Sequence, residues 1–275
     1  DENLYIYARL YEEHIWGDIT QRDAVIFKNN DFEVFLKPSI IHTNYGELEI
    51  NALGTVWDLL LNKPYRLGGK ANTKWNIDNL KSDVYISGTI NDPSDEDYYW
   101  STEISIPLNE ILEINGPDYK KVKSGDIWRA NFSRVQWEHD ISNGKYSRKK
   151  ENNKLKREYN WVWSRQGQIN MHIPENWGFI YFKDKNEINT DFDLKIDIKT
   201  EQYGYAVFEK IKYKELKYLN DKKIDERIQF NSKSLKNNNI SAEFIKTKDG
   251  FLIKCKNQID DFIYTINQEG IIKYE

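Results

Sequence analysis

Carboxylates and amides alternate with aliphatic side chains in short stretches of this 275-residue chain. In Glu47-Leu48-Glu49-Ile50-Asn51-Ala52 the polar side chains take the odd positions and the apolar ones the even positions. Asp31-Phe32-Glu33-Val34 repeats the pattern, and Ala130-Asn131-Phe132-Ser133 does so with an amide and a hydroxyl. Successive side chains of a strand point to opposite faces, so each stretch can bury one side and offer donors and acceptors on the other. Two chemistries suit such a face. A polar ligand could be held by convergent carboxylates and amides. Alternatively, Glu33 with Glu47 or Glu49 could act as an acid–base pair, provided one of them is desolvated enough to hold a proton. A solvated outer sheet explains any one strand; three polar-faced strands in a Trp-rich region make a ligand-binding face its competitor.

The elements that must position these residues read as all-β. Alternating runs recur at 4–10, 32–35, 47–53, 84–90, 102–106, 128–135 and 178–182, separated by turn-formers such as Asn29-Asn30, Gly68-Gly69, Asn115-Gly116-Pro117 and Asn143-Gly144. Many short strands with turn signals between them favour an antiparallel sandwich over a parallel sheet. A short helix is expected at Leu108–Leu112, and no strand is followed by a Gly-rich phosphate loop. The expected sheet has one apolar side turned inward and one hydrophilic side open.

All nine tryptophans precede residue 178, whereas the remainder is rich in Lys, Asn, Asp and Ile. This shift predicts two units, 1–183 and 184–275, with the boundary in the Lys183–Thr200 stretch. In the second unit Tyr205, Phe208, Ile211, Tyr213, Leu216 and Leu219 recur at helical spacing over 201–219. Strands are expected at 242–247, 251–256, 262–266 and 271–274, giving a small α+β unit whose role is packing or protein contact.

Lys+Arg 40 against Asp+Glu 44 leaves a net charge of −4, which argues against a nucleic-acid partner. No apolar run approaches the ~20 residues that cross a bilayer, so no membrane span is expected. Cys255 stands alone, which excludes an intrachain disulfide and a thiolate zinc site. It reads as a small buried hydrophobe.

Several segments, in order, resemble family 9-like carbohydrate-binding modules, a DOMON-related β-sandwich. They are Asp23-Ala-Val-Ile-Phe-Lys-Asn-Asn-Asp-Phe-Glu-Val-Phe35, Tyr45-Gly-Glu-Leu-Glu-Ile-Asn-Ala-Leu-Gly-Thr-Val-Trp-Asp58, Asn91-Asp-Pro-Ser-Asp-Glu-Asp97 and Gly125-Asp-Ile-Trp-Arg-Ala-Asn-Phe-Ser-Arg-Val-Gln-Trp137. Asn160-Trp-Val-Trp-Ser164, Ile169-Asn-Met-His172 and Pro174-Glu-Asn-Trp-Gly178 complete the set. The resemblance covers about residues 3–183 and leaves the second unit unassigned. It lacks the family's opening segment, so it implies a first strand preceding Asp1.

The resemblance implies a secreted, periplasmic or cell-surface module that binds sugar without cleaving it, in polysaccharide catabolism, often with structural calcium. Of the two tryptophans that sandwich sugar in that family, the first falls on Phe27 and the second on Met171. The strand glutamate that receives hydroxyls falls on Glu33. The neighbouring arginine is replaced by Glu49, with Arg134 a candidate for the lost cation. Alternatively the site is built from Trp57, Trp161 or Trp163 with Asn51, Asn170 and His172. Trp128 and Trp177 are assigned to the core.

Calcium candidates are Asp92, Asp95 and Asp97, with Glu96 between them, in a loop dense in hard oxygen ligands; a solvated acidic turn explains them too. Asn30 and Asp31 are a second candidate. Two other functions compete: a glycoside hydrolase using paired carboxylates, and a haem-binding sandwich. Met171 and His172 are adjacent on a strand, hence on opposite faces, so both could not ligate one iron.

Overall fold

The computed structural model describes residues 2–39, 43–187, 198–231, 240–257 and 262–274. It is mainly β, with antiparallel sheets in a sandwich arrangement and a small α+β unit at the C-terminal end. The chain divides into two compact units, the first ending at Asp184 and the second beginning at Lys185. Much of the Lys183–Thr200 stretch lies outside the described residues.

In chain order the first unit contains β1 (Asn3–Tyr11), β2 (Asp31–Lys37), β3 (Tyr45–Asn51), β4 (Val56–Leu61), β5 (Ala71–Asn72), β6 (Lys81–Ser87) and β7 (Tyr99–Pro107). Helix α1 (Leu108–Leu112) follows, then β8 (Ile127–Gln136), β9 (His139–Ser142), β10 (Lys145–Arg148), β11 (Lys150–Glu151), β12 (Lys154–Leu155), β13 (Tyr159–Val162) and β14 (Gly178–Tyr181). A larger sheet runs β13-β8-β2-β3-β4-β5, with β14 also pairing to β8; a smaller one runs β1-β7-β6. The β9–β10 hairpin turns at Asn143-Gly144, whose φ values of 51° and 70° are those of a type I′ turn.

The even residues of the central strands form the main core. Phe32, Val34, Leu36, Leu48, Ile50 and Ala130 of the large sheet pack with Leu10, Trp100, Ile104 and Ile106 of the small one. Burying each large side chain contributes about 1.5–3 kcal/mol. Trp128 is in this cluster.

The opposite face departs from the open hydrophilic side expected. Every residue of β2 and β3 is buried. The reason is a second core on that face, where Ile26, Phe35, Tyr45, Trp57, Leu59, Leu61 and Trp177 cluster. The polar residues therefore lie beneath covering segments rather than in bulk solvent.

In the second unit β15 (Arg227–Asn231), β16 (Ile240–Thr247), β17 (Gly250–Asn257), β18 (Phe262–Asn267) and β19 (Ile272–Tyr274) form an antiparallel meander. Helix α2 (Ile198–Tyr213) packs on it, with Phe208 against Phe251. Gly204 allows the close approach: a Cβ there would sit 2.2 Å from the Tyr264 hydroxyl and 2.6 Å from Cys255 Sγ. Cys255 is a buried free thiol. The helical spacing read through residue 219 overruns α2, because the Leu216 N–H bonds back to the Lys210 carbonyl at 3.0 Å and closes the helix. A separate 3-10 turn, Lys217–Asp221, carries Leu219.

Candidate functional site

Strand register brings the acidic residues together. Glu33 lies opposite Glu49 on one side and Ser133 on the other; Glu49 in turn lies opposite Trp57. Glu47 lies two residues from Glu49 on the same face, opposite Leu59. Carboxylate oxygens of Asp31, Glu33 and Glu49 fall within 4.8 Å of one another.

Two segments roof this floor. The first is the 3-10 turn Ile26–Lys28, tied down at Phe27, whose N–H donates to Glu49 Oε2 at 2.8 Å. The Phe27 carbonyl accepts from the Trp137 indole at 2.7 Å, which leaves the ring 40% exposed. The second runs through residues 164–177. Asn131 is bonded to Ser164 in both directions, the Trp177 indole donates to the Met171 carbonyl at 2.9 Å, and Arg66 clamps Glu175 at 2.5 Å.

Between floor and roof lies a cavity of about 290 Å³. Phe27, Trp57, Tyr65 and Met171 supply much of its apolar lining; Glu33, Glu47, Glu49, Asn160, Asn170 and His172 supply much of the polar part. Arg157 and Glu158 also border it.

The electrostatics are unusual for a buried site. Glu33 is 5% exposed and Glu49 2%, yet neither forms an ion pair among the described residues. Burial pushes Glu33 up to about 7. Asp31, Glu47 and Glu49 are held well above the usual carboxylate range, first by burial and then by a neighbouring carboxylate's charge: that of Glu33 on Asp31 and Glu47, and that of Asp31 on Glu49. Among the described residues, Glu33 Oε2, Glu47 Oε2 and Asp31 Oδ2 have no hydrogen-bond partner, nor does the indole N–H of Trp57. Buried polar groups are usually satisfied, and each exception calls for an explanation. Burial, followed by the nearby Arg66 charge, lowers His172 to about 4, so its ring is neutral at pH 7. It bonds the Tyr45 hydroxyl at 2.8 Å and stands edge-on to Tyr65.

Of the residues singled out in the sequence, the structure brings Phe27, Glu33, Glu49, Trp57, Asn170, Met171 and His172 to this one cavity. Met171 and His172 do not lie on a strand, so the expected opposite facing of the two does not hold and both line it. It places Asn51, Arg134, Trp161 and Trp163 elsewhere. Asn51 fastens the β3–β4 turn, its Oδ1 accepting from Leu53 and Thr55 and its Nδ2 donating to the Ile19 carbonyl. Arg134 points to the other side of the sheet, where it meets buried Glu12 at 3.2 Å and the Tyr11 carbonyl at 2.8 Å. It cannot replace the missing cation.

Trp161 pairs across from Arg134 and is 68% exposed, beside a separate groove of about 560 Å³ that includes Tyr11, Tyr98 and Tyr159. Trp163, 57% exposed, lies against Phe132 and over Gly178. Asn160 was missed although strand parity could have found it: it alternates with the two tryptophans and faces the cavity. Tyr65 opens the short 3-10 turn Tyr65–Leu67, which no sequence pattern announces.

Carboxylates of the acidic loop are engaged by backbone amides. Asp97 accepts from the amides of Ile15 and Thr89, both at 2.6 Å, and Asp92 accepts from Ser94. Among the described residues the carboxylates close enough to share an ion are Asp31, Glu33 and Glu49, rather than Asp92, Asp95 and Asp97.

No family model matches the chain, and no curated protein matches it. Among solved structures it is similar to a proposed carbohydrate-binding protein from Bacteroides uniformis, with 15% identity over 65% of this chain and 71% of that one and a TM-score of 0.39. No helix among the described residues is long and apolar enough to cross a membrane.

Proposed function

We propose that the cavity binds a saccharide without cleaving it, and that the first unit is a family 9-like carbohydrate-binding module working outside the cytoplasm in polysaccharide use. The observation that carries this reading is the mixture of unanswered groups at one place. Glu33 Oε2 and Glu47 Oε2 are acceptors without donors, and the Trp57 indole is a donor without an acceptor. A hydroxyl both donates and accepts, so a polyhydroxylated ring suits a cavity bordered by residues of both kinds. Its C–H face can lie on Phe27 or Met171 while its rim meets Asn160 and Asn170. A volume of about 290 Å³ falls at the lower end of the ~300–1,000 Å³ range of small-ligand sites. That size suits a single sugar unit or a chain end.

A glycan panel tests the proposal. Binding to at least one saccharide, lost in Phe27→Ala and unaccompanied by release of reducing ends, supports it. A panel without any binder removes it. One observation favours a second reading: Glu33 pushed up to about 7 has the proton affinity of a general acid. Turnover of a bound glycan that disappears in Glu33→Gln would establish a hydrolase instead.

A further inference from the structure

We infer that Asp31, Glu33 and Glu49 form a binding site for a hard divalent cation, of which calcium fits best, where Glu33 and Glu49 line the cavity and fully buried Asp31 lies beside them. Oxygen ligands about 2.4 Å from a calcium ion can be at most about 4.8 Å apart, and the three carboxylates offer oxygens within 4.8 Å of one another. The donors are all oxygen, which favours calcium, magnesium or manganese over zinc or copper. Magnesium, at about 2.0–2.1 Å, demands a tighter cage and near-octahedral order.

The acidic trio does not stand alone as evidence. Glu47, outside the trio and 5% exposed, lines the same cavity with its Oε2 lacking a hydrogen-bond partner among the described residues, the neutral His172 ring standing 4.0 Å away. Within the trio, Asp31 Oδ2 and Glu33 Oε2 are likewise buried without partners. Four carboxyl groups thus crowd one buried region. Of the basic side chains around it, Arg66 is paired with Glu175, Arg134 lies on the other side of the sheet with Glu12, and Arg157 borders the cavity from an exposed position. Isolated buried charges cost several kcal/mol each unless paired or coordinated to metal. A dication supplies the missing countercharge at the point where the oxygens converge.

The remaining coordination positions would face the cavity, where vicinal hydroxyls of a saccharide can enter; this last step rests on the proposed saccharide function, whereas the metal site does not.

The test uses the full chain stripped with chelator and titrated with calcium chloride in the absence of sugar. One equivalent is expected to bind saturably and raise the thermal midpoint. Asp31→Asn and Glu33→Gln are each expected to weaken binding at least tenfold, while Asp92→Asn in the acidic loop leaves it unchanged. Terbium provides a readout that spares the ligands. Its emission, sensitised by Trp57, should fall in Trp57→Phe and be displaced by calcium. The proposal is overturned by absence of binding at millimolar calcium, by binding that survives both trio substitutions, or by loss of binding in Asp92→Asn. Because no sugar is present, a negative result leaves the saccharide reading standing, and a negative glycan panel leaves this one standing.

Discussion

Replacing Glu33 by Gln in metal-free protein is predicted to stabilise the first unit at pH 8 and to change little at pH 5. Glu33 is buried, has no cationic partner among the described residues and has Glu49 directly across the strand pair. Burial raises its carboxyl from 4.5 to about 7. A folded-state value above the unfolded one means the unfolded chain releases the proton first. The stability linked to that proton is therefore fully present below about pH 4.5 and is lost as pH rises through 7. At 1.36 kcal/mol per unit, the difference amounts to about 3 kcal/mol above pH 7 and under about 1 kcal/mol at pH 5. Gln is an uncharged near-isostere that never incurs this loss. Urea unfolding of wild type and Glu33→Gln in EDTA at the two pH values measures the effect. A variant less stable than wild type at pH 8, or equally shifted at both pH values, would refute the view that this carboxylate is uncompensated.

His172, lowered to about 4 by burial and then by Arg66, has the opposite linkage. Its contribution is intact above the unfolded value near 6.5 and is lost as pH falls toward 4; an imidazole NMR titration should show no protonation until near pH 4, and His172→Gln should flatten stability over that window. Arg66→Ala strands Glu175, a buried carboxylate, and should cost about 3–5 kcal/mol by urea unfolding. Phe27→Ala, at a ring already 40% exposed, should change stability by no more than about 0.5 kcal/mol, yet weaken saccharide binding at least tenfold in calorimetry.

Much of the architecture was legible because period-2 alternation states both strand and face. The core face of β2, β3 and β8 followed directly from Phe32, Val34, Leu48, Ile50 and Ala130. What alternation could not state is what lies above the other face. Ile26, Phe35 and Trp177 build a second core there, which turns an expected open sheet into a roofed cavity. Local pattern is blind to such long-range cover. The convergence of Phe27 with Met171, and of Glu33 with Glu49, was read from family-like segments and strand parity. Arg134 and Asn51 went astray for different reasons. Parity already placed Arg134 opposite Ser133, with Phe132. Asn51 shares the parity of Glu49 but lies at the strand end, where a turn amide takes precedence over a ligand. The exposed Trp161 and Trp163 mislead because aromatic content says nothing of which face reaches the cavity.

Calorimetric titration of a panel-selected saccharide into Glu49→Gln and Trp161→Ala, side by side with wild type, is the most direct trial of where sugar binds. The cavity account predicts that Glu49→Gln loses most of the affinity while Trp161→Ala keeps it. Undiminished binding in Glu49→Gln, with loss in Trp161→Ala, would move the site to the exposed aromatic groove and contradict the account.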